Sequence, residues 1–115
     1  MATTEECRRA LDTFAARLAR ADGGVRAAAG HDRTVSCHVT DLDVTFTGSL
    51  ADGGLRLLDQ ADGPPRERAQ VRLAMTGDDL VALVAGELDF ARAWATGRVR
   101  LEAGLRDLLR LRSLL

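Results

Sequence analysis

Val71-Arg72-Leu73-Ala74-Met75-Thr76-Gly77-Asp78-Asp79-Leu80 changes its hydrophobic period partway along. Val71, Leu73 and Met75 alternate with Gln70, Arg72 and Ala74, the two-residue period of a strand with one buried face. Beyond Thr76 the apolar positions are Leu80, Leu83 and Val84, with Val81 beside them, which is helical spacing. Thr76 stands where a hydroxyl caps a helix, and Asp78 and Asp79 face the positive end of its dipole. Gly86 supplies the left-handed residue that ends such a helix. A strand passing directly into a helix implies a sheet with a helix laid on it.

The flanking sequence repeats this grammar. Upstream, Val35, Cys37 and Val39 alternate with Ser36, His38 and Thr40. Leu42, Val44 and Phe46 then alternate with Asp43, Thr45 and Thr47, and Leu50 continues the apolar set. Asp52-Gly53-Gly54 is a hairpin signal because a tight turn between twisted strands needs positive φ. It leads to a weaker strand over 55–60 and a loop over 61–67 that holds Gly63-Pro64-Pro65. Downstream, Asp89 caps a helix through Phe90, Ala93 and Trp94 to Gly97. Val99 and Leu101 then oppose Arg98, Arg100 and Glu102 in a fifth strand. At the N-terminus, Thr3 and Glu6 have capping-box spacing. Cys7, Ala10, Leu11, Phe14, Leu18 and Ala21 form the apolar stripe of a first helix, which Gly23-Gly24 ends. Gly104 opens a last helix over 105–115.

Every strand has one apolar and one polar face, the pattern of a mostly antiparallel sheet covered on one side. The expected fold is therefore α+β, a two-layer domain spanning 1–115, with about five strands and helices over one face. Arg72, Arg98 and Arg100 are expected to share the wet face.

Composition narrows the function classes. The chain has 115 residues, 46% hydrophobic and 29% charged, which suits a folded globular domain. Sixteen basic and seventeen acidic residues give a net charge of -1, without the basic excess of a nucleic-acid binder. No apolar run approaches the ~20 residues of a membrane span. Met1 to Arg9 carries Glu5 and Glu6 and no apolar leader core, so a cytoplasmic protein is expected. All basic residues are Arg, and Lys, Asn, Ile and Tyr are absent, which fits a GC-rich, bacterial coding sequence. The four aromatics are Phe14, Phe46, Phe90 and Trp94, so Leu, Val and Ala must build the core.

Catalytic signatures are scarce. The sequence has no GxSxG, HExxH, phosphate-binding loop or GxGxxG. Cys7 and Cys37 are thirty residues apart, outside metal and redox spacings, and both fall on apolar stripes, where a buried inert thiol is expected. His31, beside Asp32, and His38, on a polar strand face, read as solvated. No catalytic residue, metal ligand or cofactor is expected. One surplus stands out: Leu105, Leu108, Leu109, Leu111, Leu114 and Leu115 cover about two-thirds of the last helix's circumference. A helix packed on one sheet needs a single stripe, so this one has apolar surface for a second contact.

From Val71 to Gly104 the chain resembles the sterol carrier protein type 2 family of lipid-binding domains. Met75-Thr76-Gly77-Asp78-Asp79-Leu80 matches the family's strand end and capped acidic helix start. Gly86-Glu87-Leu88 matches its glycine step. Phe90-Ala91-Arg92-Ala93-Trp94-Ala95-Thr96-Gly97-Arg98-Val99-Arg100-Leu101 matches its aromatic helix and following strand. The order of elements agrees over nearly the whole chain. The sequence departs from the family at Asp89-Phe90, where Pro is common, at Ala103-Gly104, where Gly-Asp is common, and in lacking Lys.

The resemblance implies a tunnel between sheet and helices for a fatty acid, acyl-CoA or sterol-like lipid, and a bacterial origin argues against a sterol. The implied apolar lining is Phe46, Met75, Leu83, Val84, Phe90, Trp94, Leu101, Leu105, Leu108 and Leu109, with the last helix as lid. A tunnel of ~300 Å³ left empty would cost about 7 kcal/mol at ~24 cal/mol per Å³. That is comparable to the ~5–15 kcal/mol of a domain's net stability. Three states follow: a bound lipid, a collapsed core, or a partner over the opening. The leading expectation is a non-enzymatic lipid-binding or lipid-transfer protein that makes transient membrane contact. The alternative is a ligand-free accessory module that docks, or forms a homodimer, through its leucine-rich last helix. An enzyme using the pocket as a reaction chamber is third, because no titratable group is placed inside.

Overall fold

Helix α1 (Thr4–Ala19) starts at the expected capping box. The Thr3 hydroxyl accepts from the Glu6 amide at 3.1 Å, and the Glu6 carboxylate accepts from the Thr3 amide at 3.0 Å. Glu6 is held below the usual carboxylate range, chiefly by that backbone hydrogen bond to Thr3. The structure is a computed structural model that describes residues 1–19, 33–51 and 54–104. The Gly23-Gly24 stop, the His31-Asp32 turn, the Asp52-Gly53 turn positions and the last helix lie outside the described residues.

The other elements are strands β1 (Arg33–Val39), β2 (Val44–Ala51), β3 (Gly54–Asp62) and β4 (Val71–Met75), helices α2 (Gly77–Ala85) and α3 (Phe90–Ala95), and strand β5 (Arg100–Ala103). They form a sheet in the order β3-β2-β1-β4-β5. The β1–β2, β2–β3 and β4–β5 pairs are antiparallel, and the central β1–β4 pair is parallel. The α+β class and the mostly antiparallel sheet stand as expected; the parallel centre is the feature the alternation patterns do not carry.

Register aligns the apolar face. Cys37 lies between Phe46 on β2 and Leu73 on β4, and Leu73 opposes Leu101 on β5. Val39 lies between Val44 and Met75. Cys7, Ala10 and Leu11 of α1 and Leu80 of α2 join this face in one buried cluster. The start of α2 is gripped from two sides: the Thr76 hydroxyl accepts from the Asp79 amide at 3.2 Å, and the Asp41 carboxylate accepts from the Gly77 amide at 2.9 Å. Gly77 also sits tight under α1, since a Cβ there would come 3.0 Å from Cys7 Sγ.

Several expectations need correction. Ser36 is 2% exposed and Thr45 is buried, so the polar face is not wet at these two positions. Ser36 lies on the central strand β1, and the Thr45 hydroxyl donates to the Gly63 carbonyl at 2.8 Å. His38 is half-buried, with Nε2 2.9 Å from Asp43 Oδ1, and is not a free surface histidine. Arg98 leaves the wet face because β5 begins only at Arg100: it turns to Asp79 while Arg72 pairs with Glu102 across β4–β5. Val99, read as a strand residue, lies just ahead of β5 and is 1% exposed, its amide donating to the Ala93 carbonyl. Phe14 is 44% exposed despite its place on the helix stripe.

Candidate functional site

The apolar face of the sheet and the helices do not close onto each other completely. Between them lies a chamber of about 670 Å³. Strands β1, β2, β4 and β5 supply its floor through Cys37, Phe46, Leu73, Met75 and Leu101. The roof comes from α1 through Leu11 and Phe14, from α2 through Leu83 and Val84, and from α3 through Phe90. These positions fall there because the strand period of two sends alternate side chains to one face, while the helical period directs one stripe of each helix back toward it.

Six of the ten sequence-derived lining residues meet in this chamber: Phe46, Met75, Leu83, Val84, Phe90 and Leu101. Trp94 does not line it. The residue is 37% exposed, and its ring stands 6.3 Å, centroid to centroid, from that of Phe90 one helical turn earlier. Leu105, Leu108 and Leu109 lie outside the described residues. Sequence reasoning missed Leu11, Phe14, Val35, Cys37, Leu57 and Leu73, which also border the space. The alternation patterns of β1 and β4 already put Val35, Cys37 and Leu73 on the apolar face, so the signal was present. Leu57 was hidden by a register shift between Thr47 and Gly48, which carries β3 out of simple alternation.

Gly48 shapes the floor at that shift. A Cβ there would fall 2.7 Å from the backbone carbonyl oxygen of Arg56. Only glycine permits this approach of β2 and β3, and the missing side chain leaves space on the chamber side.

The walls are electrically quiet. Burial pushes the Cys37 thiol up to about 12, with the neighbouring Cys7 sulfur adding to the effect. Cys7 is also raised, first by burial and then by the carboxylates of Asp41, Glu6 and Asp78. Both thiols are therefore neutral at physiological pH, Cys37 as part of the wall and Cys7 in the core behind it. Among the described lining residues, the charged ones are Arg17 of α1 and Asp89 at the start of α3, both exposed. Arg17 Nη1 donates to the Val84 carbonyl oxygen near the end of α2. The Asp89 carboxylate accepts from the Arg92 amide at 3.2 Å and so caps α3.

A separate hollow of about 410 Å³ lies between Arg8, Asp59 and Gln60, with Phe46 and Leu57 as walls common to both spaces. Among the described residues, no three metal-ligating side chains converge, and no helix is long and apolar enough to cross a membrane.

The fold is that of sterol carrier protein 2. The chain matches the solution structure of sterol carrier protein domain 2 from Helicoverpa armigera with a TM-score of 0.68 at 12% identity, over 98% of this chain and 89% of that one. It matches the sterol carrier protein-2 from Aedes aegypti, solved in complex with the C16 fatty acid palmitate, with a TM-score of 0.61 at 18% identity, over 99% and 96%. Sequence similarity is higher to an enzyme. The stereoselective inverting sec-alkylsulfatase Pisa1 from Pseudomonas sp. is 29% identical over 89% of this chain, with a TM-score of 0.58. The chain spans only 16% of that enzyme's length. No curated protein matches the sequence. The model of the alkyl sulfatase C-terminal family matches residues 3–115. The chain therefore has the fold that the Val71–Gly104 resemblance implies and, by its sequence, belongs to the alkyl sulfatase C-terminal family.

Proposed function

We propose that this chain is a non-enzymatic lipid-binding domain that holds a single alkyl or acyl chain between its sheet and its helices. The chamber of about 670 Å³ carries the reading, because its size is within the ~300–1,000 Å³ typical of small-molecule sites. Its lining is almost wholly aliphatic and aromatic, which favours an apolar occupant.

An alkyl chain suits the walls. The described lining is mostly aliphatic and aromatic, and each methylene moved from water contributes about 0.8 kcal/mol. An alkyl chain is also common to the palmitate of the Aedes protein and to the substrates named for the Pseudomonas sulfatase. Among the described lining residues the thiol, Cys37, is held protonated by burial, which supports reading the chain as one that binds and does not react. The lid that the resemblance implies, with Leu105, Leu108 and Leu109, falls outside the described residues, and its role rests on their sequence alone.

Native mass spectrometry of the freshly purified protein, followed by solvent extraction, tests this. The expected result is a stoichiometric adduct that denaturation releases as a fatty acid or related single-chain lipid. A bare chain that also takes up no palmitate in titration would overturn the reading.

A further inference from the structure

The chamber and the smaller hollow are one side chain apart. Phe46 and Leu57 line both, with the apolar space of about 670 Å³ on one side and the hollow of about 410 Å³ on the other. The two compartments differ in chemistry. Beyond Phe46 and Leu57 the hollow is bordered by Arg8, Asp59 and Gln60, all exposed, which together offer hydrogen-bond donors and acceptors. The partition owes its place to the register of β2 and β3. Phe46 opposes Gln60, Gly48 opposes Leu57, and the shift between Thr47 and Gly48 separates the two pairs. Phe46 and Gly48 share a face of β2, so Leu57 and Gln60 share a face of β3 although they are three residues apart. An unbroken strand would send them to opposite faces. The shift thereby sets an apolar side chain and an amide on one face under α1, where Arg8 Nη1 donates to Gln60 Oε1 at 3.5 Å.

We infer that Phe46 and Leu57 are the chain-end stop of the chamber, a partition that selects chains with an unmodified methyl end and withholds from them the polar hollow behind it. This rests on the reading of the chamber as an alkyl-chain site. Phe46 is 3% exposed, and a methyl end placed against it is out of water. The apolar end of an amphiphile gains most from such a wall, because its polar end keeps its hydrogen bonds by staying with water. A chain that reaches Phe46 with a methyl group meets only carbon. A chain that carries a hydroxyl at the same carbon buries it against the ring with no partner, which lowers affinity. The groups that would satisfy that hydroxyl, Gln60, Asp59 and Arg8, stand on the other side of the partition. Thinning the partition joins the two spaces, so that longer chains fit, and it also lets a terminal hydroxyl reach the hollow. Enlarging the chamber elsewhere does only the first. Leu101 is the reference for that case: it lies on β5, at the opposite edge of the sheet from β3, and lines the chamber without bordering the hollow.

The test uses the full chain with palmitate and ω-hydroxypalmitate as probes, in calorimetric or fluorescence-displacement titrations below their aggregation limits. The unmodified protein is expected to prefer palmitate by roughly tenfold or more. Leu57→Ala and Phe46→Leu are each expected to cut that preference to about threefold or less, while Leu101→Ala keeps it. Adding Gln60→Leu to Leu57→Ala is expected to restore part of the preference, because the hydroxyl then loses an amide partner in the hollow. Thermal midpoints identify the variants that fold. Leu57 is only half-buried, so Leu57→Ala carries the test where Phe46→Leu does not fold. Equal affinity of the unmodified protein for the two probes overturns the inference, as does a preference that survives in every folded partition variant or is lost equally with Leu101→Ala. Failure of palmitate to bind overturns the alkyl-chain reading itself, which separates the two.

Discussion

Arg98 Nη2 lies 2.6 Å from Asp79 Oδ1, and the bond ties the approach to β5 to the first turn of α2. The Asp79 side chain is 12% exposed and that of Arg98 is 54% exposed. The carboxylate is thus taken out of water by the fold while its partner reaches in from the surface. Removing Arg98 strands the charge, while removing both groups does not. Arg98→Ala should destabilise the fold by about 2 kcal/mol, between the ~0.2–1 kcal/mol of an exposed pair and the ~3–5 kcal/mol of breaking a buried one. Adding Asp79→Asn to Arg98→Ala should recover part of the loss. Urea unfolding of the two variants beside the parent checks both statements.

Gly48 is expected to tolerate no side chain. Gly48→Ala drives a Cβ to 2.7 Å from the Arg56 backbone carbonyl oxygen, and neither atom can turn aside by a side-chain rotation. The strands must part, at a cost on the order of 1–3 kcal/mol. A lowered urea midpoint with an unchanged slope is the expected outcome.

The length of chain that the chamber accepts should respond to the volume of its roof. Leu83→Trp projects a larger ring into the space below α2. If that displaces two methylenes from the chamber, affinity for long acyl chains falls about 15-fold, at ~0.8 kcal/mol per methylene. Chains two carbons shorter should bind almost as well as to the parent. A titration series of saturated fatty acids reads this directly.

Deleting residues 105–115 should abolish retention of a co-purified lipid while leaving the sheet folded. Gel filtration followed by lipid extraction distinguishes retention from simple affinity. Unchanged retention in a folded deletion variant would remove the lid from the site.

Stability at high pH should depend on Cys37. Its thiol is raised to about 12 in the folded protein, against an ordinary value of 9.0. The folded state therefore keeps a proton that the unfolded chain gives up. The stabilising contribution is fully present below about 9 and is lost as pH rises from there toward 12. Cys37→Ala should flatten the decline of the thermal midpoint over that window. At neutral pH, Cys37 should resist iodoacetamide until the protein is unfolded.

Local patterns are sufficient for the described elements and for part of the chamber. The caps at Thr3, Thr76 and Asp89 form the bonds their residue types imply. The two-residue period sends Phe46, Met75 and Leu101 to one face. What the chain's own pattern could not carry was non-local. Alternation in β1 and β4 says that each has an apolar face, and says nothing about which strand lies beside it or in which direction. Arg98 shows the same limit, because its side is set by where β5 begins and by Asp79 nineteen residues away. Trp94 is another case, since its place in the aromatic helix of the resemblance does not say which way the ring turns. On α3 it is Ala93 that turns fully inward, leaving the ring half-exposed beside Phe90.

The parallel β1–β4 pair also governs how the molecule assembles. β1, β2 and β3 join through near neighbours in the chain, whereas Val35 must meet Val71 across thirty-six residues. The cost of closing that loop must be met before the contact stabilises anything. The three-stranded meander is therefore expected to form early and the β4–β5 half to dock late. The chamber, floored by both halves, exists only after that docking. A bound lipid should accordingly slow unfolding and leave the folding rate untouched, protecting the finished protein without guiding its formation.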